Sequence, residues 1–179
     1  MLQNYTKLKV ASVFFINPTK DHYLKQISRD LKIAHTSVKN YLDEFVKSGI
    51  IKKISQKRGK RTFPVYKANY NDSVFRYYKS IFNFLALNDS GLINHLNDLL
   101  ISKSIVLFGS FQRGEDVEDS DIDIFIECSK KEINLKKFEK ILKRKIQLHF
   151  NNNFPSYPKE LKNNIINGTV LSGFLEGYK

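Results

Sequence analysis

A single cysteine, Cys128, rules out an internal disulfide. It is expected to be a small buried residue at the end of a strand. Four histidines, His22, His35, His95 and His149, are scattered without the spacing of a zinc site. No apolar run approaches the roughly twenty residues that span a bilayer, so no membrane helix and no membrane partner are expected. Residues 1–7 lack the charged region and apolar core of a secretory signal. From these absences a cytoplasmic location is the expectation. There is no internal repeat, and no low-complexity segment beyond Asn151-Asn152-Asn153.

Acidic residues are also scarce, 18 against 30 Lys and Arg, for a net charge of +12 in 179 residues. The scarcity is local. Residues 1–70 hold fifteen Lys and Arg and only four Asp and Glu, whereas the remainder is nearly balanced. A chain of this length supports one medium domain or two small ones, and the asymmetry favours two domains with different partners. A block as basic as the first is the electrostatic footprint of a nucleic-acid binder.

Within that block, Leu8–Phe15 reads as an apolar helix closed by Asn17-Pro18. Leu24, Ile27 and Leu31 mark a second helix. A short turn, Lys32 to His35, leads to a third with Val38, Tyr41, Leu42, Phe45 and Val46 on one face, closed by Gly49. Two strand-like runs follow, Ile50–Ser55 and Thr62–Ala68, joined by a basic loop over 56–61. Pro64 marks the second as an edge strand. This order resembles the winged helix-turn-helix family over about Leu8 to Asn69. The resemblance implies DNA contact by Thr36, Ser37, Lys39 and Asn40 at the start of the third helix, and by Lys57, Arg58, Lys60 and Arg61 at the wing tip. The alternative is a module used for dimerisation or protein contact.

Residues 71–89 read as a linker helix capped by Asp72 or Ser73, with Val74, Tyr77, Tyr78, Ile81, Phe84 and Leu85 at helical spacing. That stripe is expected to pack against a neighbour, and a homodimer through this helix is the resulting expectation.

The remaining residues, 90–179, carry the chemistry. An apolar strand, Ile105–Phe108, runs into the turn Gly109-Ser110. A second strand, Ser120–Ile126, then places Asp121 and Asp123 at alternate positions, hence on one face. Two carboxylates held together suit a divalent cation, and a Gly-Ser turn brings backbone N–H groups to phosphate oxygens. The plain alternative is an acidic surface loop (Glu115, Asp116, Glu118, Asp119) entering an ordinary strand.

The segment Gly109-Ser110…Arg113-Gly114…Ser120-Asp121-Ile122-Asp123 resembles the signature of the DNA polymerase beta-like nucleotidyltransferases, closest to their minimal branch. The resemblance implies an α/β (α+β) domain: a small mixed sheet flanked by helices, here preceded by the mainly α winged helix-turn-helix. It implies an NTP held at Gly109, Ser110, Arg113 and Ser120, and catalysis by Asp121 and Asp123 as ligands of Mg2+ or Mn2+. The family's third carboxylate falls on the strand Lys145–Phe150, where Gln147 stands instead and His149 is next on that face. Gln carries no charge and takes no proton; His149 is either a base or a half-buried aromatic. Glu127 shares the period of the two aspartates but lies about 13 Å along the strand. Two readings stay open: an enzyme moving a nucleoside monophosphate to an acceptor, a partner protein among the candidates, or a regulator that kept the fold, binds nucleotide and has lost turnover.

Overall fold

The computed structural model describes residues 5–59 and 61–176. The chain divides into two compact units, residues 1–82 and 83–179. Among the described residues no helix is long and apolar enough to cross a membrane.

The first unit holds helices α1 (Thr6–Ile16), α2 (Leu24–Leu31) and α3 (His35–Lys47), then strands β1 (Ile51–Arg58) and β2 (Arg61–Ala68). Its core joins Val10, Phe14 and Phe15 of α1, Ile27 of α2, and Val38, Leu42 and Phe45 of α3. Of the apolar face read from α3, Val38, Leu42 and Phe45 are buried, and Tyr41 and Val46 pack half-buried against them. The hairpin is tighter than the sequence suggests. β1 and β2 pair from Ile51↔Ala68 to Arg58↔Arg61, leaving only positions 59 and 60 between them. The expected loop over 56–61 is thus mostly ladder: cross-strand bonding outweighs the polarity of the basic residues, and Lys57 and Arg61 remain exposed.

Helix α4 (Ser73–Asp89) begins with the Asp72 carboxylate accepting a bond from the Val74 N–H at 2.8 Å, the expected cap. The stripe named from its spacing is mostly exposed, with Leu85 half-buried. Val74, Tyr77, Tyr78, Ile81 and Phe84 are exposed, and Phe75 and Phe82, seven apart, are the side chains that join the core of the first unit. Both sets satisfy helical period, and the longer aromatic run masked the true inner face.

The second unit contains α5 (Leu92–Leu99), β3 (Ser104–Phe108), α6 (Gly109–Arg113), β4 (Ile122–Ile126), α7 (Lys136–Leu142), β5 (Ile146–Phe150), α8 (Lys159–Ile166) and β6 (Thr169–Gly173). The strands form one mixed sheet in the order β5-β4-β3-β6, with β3 antiparallel to both neighbours and β4 parallel to β5. β3 is buried along its whole length, as a central strand covered on both faces must be. One face (Ile105, Leu107, Ile122, Ile124, Ile126) packs on Leu92 and Leu96 of α5 and Phe138 of α7. The other (Val106, Phe108, Phe125) packs on Phe154 and Ile165.

Candidate active site

Strand alternation decides where the carboxylates stand. Ile122, Ile124 and Ile126 point into the α5–α7 core, so Asp123 shares the opposite face with Phe125. Phe125 is sealed under Phe154 and Tyr157, whereas Asp123, two residues earlier, keeps 26% of its side chain exposed. One face of a single strand is therefore apolar at one end and open and acidic at the other. Asp121 lies just ahead of β4 rather than inside the expected strand, and is half-buried.

β5 lines up beside the pair, with Asp123 level with Gln147. The Gln147 amide donates to Asp121 Oδ2 at 2.5 Å, and His149 Nε2 lies 3.1 Å from Asp123 Oδ1. The His149 ring sits edge-on to Phe108, 5.2 Å between centroids. His149 is thus a half-buried aromatic that also touches a carboxylate. Glu127 does not join them. It is buried, and its carboxylate accepts a bond from the Ser104 hydroxyl at 3.2 Å.

The Gly109-Ser110 turn is the start of α6, a one-turn helix, not a bare turn. Gly109 has φ +81, and a Cβ built on it would lie 2.6 Å from Asp123 Oδ2. The absent side chain is what lets the β3–α6 corner approach the carboxylate. Ser110 is half-buried in the first turn of α6. Arg113, at its end, is exposed and pairs with Glu115 at 2.8 Å. Ser120 Oγ accepts a bond from the Val117 N–H at 2.9 Å, closing the turn that delivers Asp121. So Gly109, Asp121 and Asp123 come together with Gln147 and His149, while Arg113 and Ser120 are tied to their own loop.

Two corrections concern neighbours of the site. Cys128 is half-buried rather than buried, because β4 ends at Ile126 and the chain turns outward. Burial still pushes its thiol up, with Lys131 pulling the other way. Asp116 is no surface residue: its side chain is 1% exposed, accepts a bond from Asn83 Nδ2 at 2.7 Å and faces Arg144 Nη2 at 3.4 Å. Nothing periodic signals this. The one hint was an arginine at the centre of Lys143-Arg144-Lys145, since a guanidinium suits a buried carboxylate better than an ammonium does.

Among the described residues no group of three or more His, Cys, Asp or Glu side chains is arranged to hold a metal ion. The donor set fits Mg2+ better than a protein-caged ion. Mg2+ is commonly held by one or two carboxylates and takes its other oxygens from water and substrate phosphates. Asp123, 26% exposed, and the half-buried Asp121 stand at the open end of the sheet, where such oxygens could reach them.

In the first unit, Thr36, Lys39 and Asn40 are exposed at the start of α3 and Ser37 is half-buried; Lys57 and Arg61 are exposed on the hairpin. Lys60 and the side chain of Arg58 lie outside the described residues.

No curated protein and no solved structure matches the chain. Residues 90–172, which hold α5, strands β3 to β5, β6 up to its penultimate residue, and the carboxylate pair, match the family model of the nucleotidyltransferase domain.

Proposed function

We propose that the chain is a DNA-binding nucleotidyltransferase. A winged helix-turn-helix over 1–70 and a linker helix over 71–89 precede a minimal transferase domain over 90–179. In the reaction an acceptor hydroxyl oxygen bonds to the α-phosphorus of an NTP. The bond from that phosphorus to the bridging oxygen breaks, pyrophosphate leaves, and the hydroxyl proton passes to water.

The observation that carries this reading is the Asp121/Asp123 pair at the open end of β4, with Gly109 drawn against Asp123. Asp121 and Asp123 would hold Mg2+ or Mn2+. When bound, such ions neutralise the triphosphate and the charge that builds on the leaving pyrophosphate. The chain's own work is positional. Gly109 and Ser110 present backbone N–H groups to the phosphates, with Arg113 and Ser120 beside them. The Gln147 amide fixes the rotamer of Asp121, and His149 does the same for Asp123.

Gln147 also supports a second reading. At that place an amide carries no charge and takes no proton. A protein built this way binds nucleotide at the same residues without turnover and serves as a nucleotide-responsive DNA-binding regulator.

Incubation with α-labelled NTPs and Mg2+ or Mn2+, alone and with host lysate, separates the two. The first reading expects label transfer by the wild type and none by Asp121→Asn/Asp123→Asn. Nucleotide binding that needs both aspartates, with no transfer to any acceptor, establishes the second instead.

A further inference from the structure

The hairpin of the first unit carries an exposed apolar patch amid dense positive charge. Residues 51–68 include seven Lys and Arg and no Asp or Glu. Strand alternation sorts the paired side chains onto two faces. Ile51, Tyr66 and Ala68 lie on the face that joins the core of the unit. On the opposite face Ile54 stands across from Val65, and Gln56 across from Phe63. Val65 is buried, but Ile54 and Phe63 are 42% and 41% exposed. These two are diagonal neighbours across the ladder, a separation that an aromatic ring spans. They make one patch rather than two scattered exposures.

Phe63 is held firmly. Its strand is laddered to β1, and Pro64 follows it and confines its backbone to extended conformations. The Tyr23 hydroxyl, just ahead of α2, donates to Gln56 Oε1 at 2.9 Å and ties this face to the helices. Cations flank the patch on the same face. Arg61 is exposed two residues before Phe63, and Lys52 is exposed two residues before Ile54. A protein partner would need acidic groups at both ends of a matching apolar surface. Duplex DNA meets both demands along its whole length, with rows of phosphates outside and flat base faces within.

We propose that Phe63, backed by Ile54, is a wedge that enters the minor groove of duplex DNA and unstacks one base step, while Arg61 and Lys52 take phosphates on either side. The proposal rests on reading the first unit as DNA-binding. It adds a bend, because an apolar side chain inserted between base pairs kinks the duplex toward the major groove. It also adds a preference that needs no hydrogen bond to a base edge. Pyrimidine–purine steps such as TA unstack easily, whereas A-tracts are stiff.

The test uses the full chain and two short probe duplexes with a dye pair at their ends. One contains TA steps with 2-aminopurine beside them; the other is built of A-tracts. Wild type is expected to raise the 2-aminopurine fluorescence of the TA duplex and to shorten its end-to-end distance. Phe63→Ala is expected to lose both signals and about tenfold in affinity for that duplex. Its salt slope should be unaltered, since no phosphate contact is removed. Phe63→Leu keeps an apolar wedge and is expected to keep the bend. If wild type binds the TA duplex without unstacking or bending it, the wedge is overturned. A Phe63→Ala variant that binds and bends the duplex as wild type does overturns it too. Both results leave the DNA-binding reading standing. Failure of wild type to bind either duplex at low salt removes that reading, and this proposal with it.

Discussion

Gly109 is under two constraints at once. Its φ of +81 is a conformation that L side chains rarely adopt, and its missing Cβ is the space into which the Asp123 carboxylate fits. Gly109→Ala should therefore cost about 1–2 kcal/mol from the backbone alone, and should also turn Asp123 away from its contact with His149. The expected result is a lower melting temperature together with loss of the thermal shift that the proposed function expects Mg2+ and NTP to give the wild type. A variant that melts early but keeps the full ligand-induced shift would separate the glycine's fold role from the site. Of the residues that make the candidate site, Gly109, Asp121 and Asp123 were legible, because a glycine after an apolar strand and carboxylates at period two are local signals. The contacts of Gln147 and His149 depend on β5 lying parallel beside β4, and only the register of the sheet supplies that.

At the scale of elements, the second unit is pinned by a polar cluster that joins three distant segments. Asp116 follows α6, Arg144 precedes β5 and Asn83 lies in α4; Asn83 also donates to the Phe111 carbonyl at 2.8 Å. With Arg144 6% and Asp116 1% exposed, neither group can fall back on water. Removing one partner strands a buried charge, so Arg144→Ala is expected to destabilise by about 3–5 kcal/mol. Arg144→Met/Asp116→Leu should recover much of that, since the charge it would strand is gone. Chemical denaturation of both variants checks the order. If the double variant is no more stable than Arg144→Ala, the cluster matters for its geometry rather than its charge. Such a cluster illustrates where sequence reading stops. The strands that carry the site and the core face of α3 follow from periods within one segment. The one-turn helix α6 is too short to show a period, and the burial of Asp116 is set by partners 28 and 33 residues away.

At the scale of the whole molecule, two surfaces remain that neither core explains. Positive charge is concentrated in residues 1–70, and α4 exposes Val74, Tyr77, Tyr78, Ile81 and Phe84, with Tyr77 64% exposed. An exposed apolar stripe of this kind is what an interaction site would present, and the expected homodimer would set a second copy of the same helix against it in two-fold symmetry. Such a dimer would also double the number of phosphates within reach of the proposed DNA contacts on α3 and the hairpin. Two classes of variant should then part company. Tyr77→Asp/Ile81→Asp is expected to halve the mass measured by light scattering and to weaken binding to a palindromic duplex. Lys57→Glu/Arg61→Glu is expected to keep the wild-type mass but to lose affinity for every duplex. Its salt dependence should flatten by about 0.9 for each phosphate contact removed from a protomer. If the first variant keeps the wild-type mass, α4 is not the dimer seam. If the second binds DNA with an unaltered salt slope, the hairpin lysine and arginine do not touch phosphate, and the basic first unit contacts nucleic acid through α3 or serves another partner.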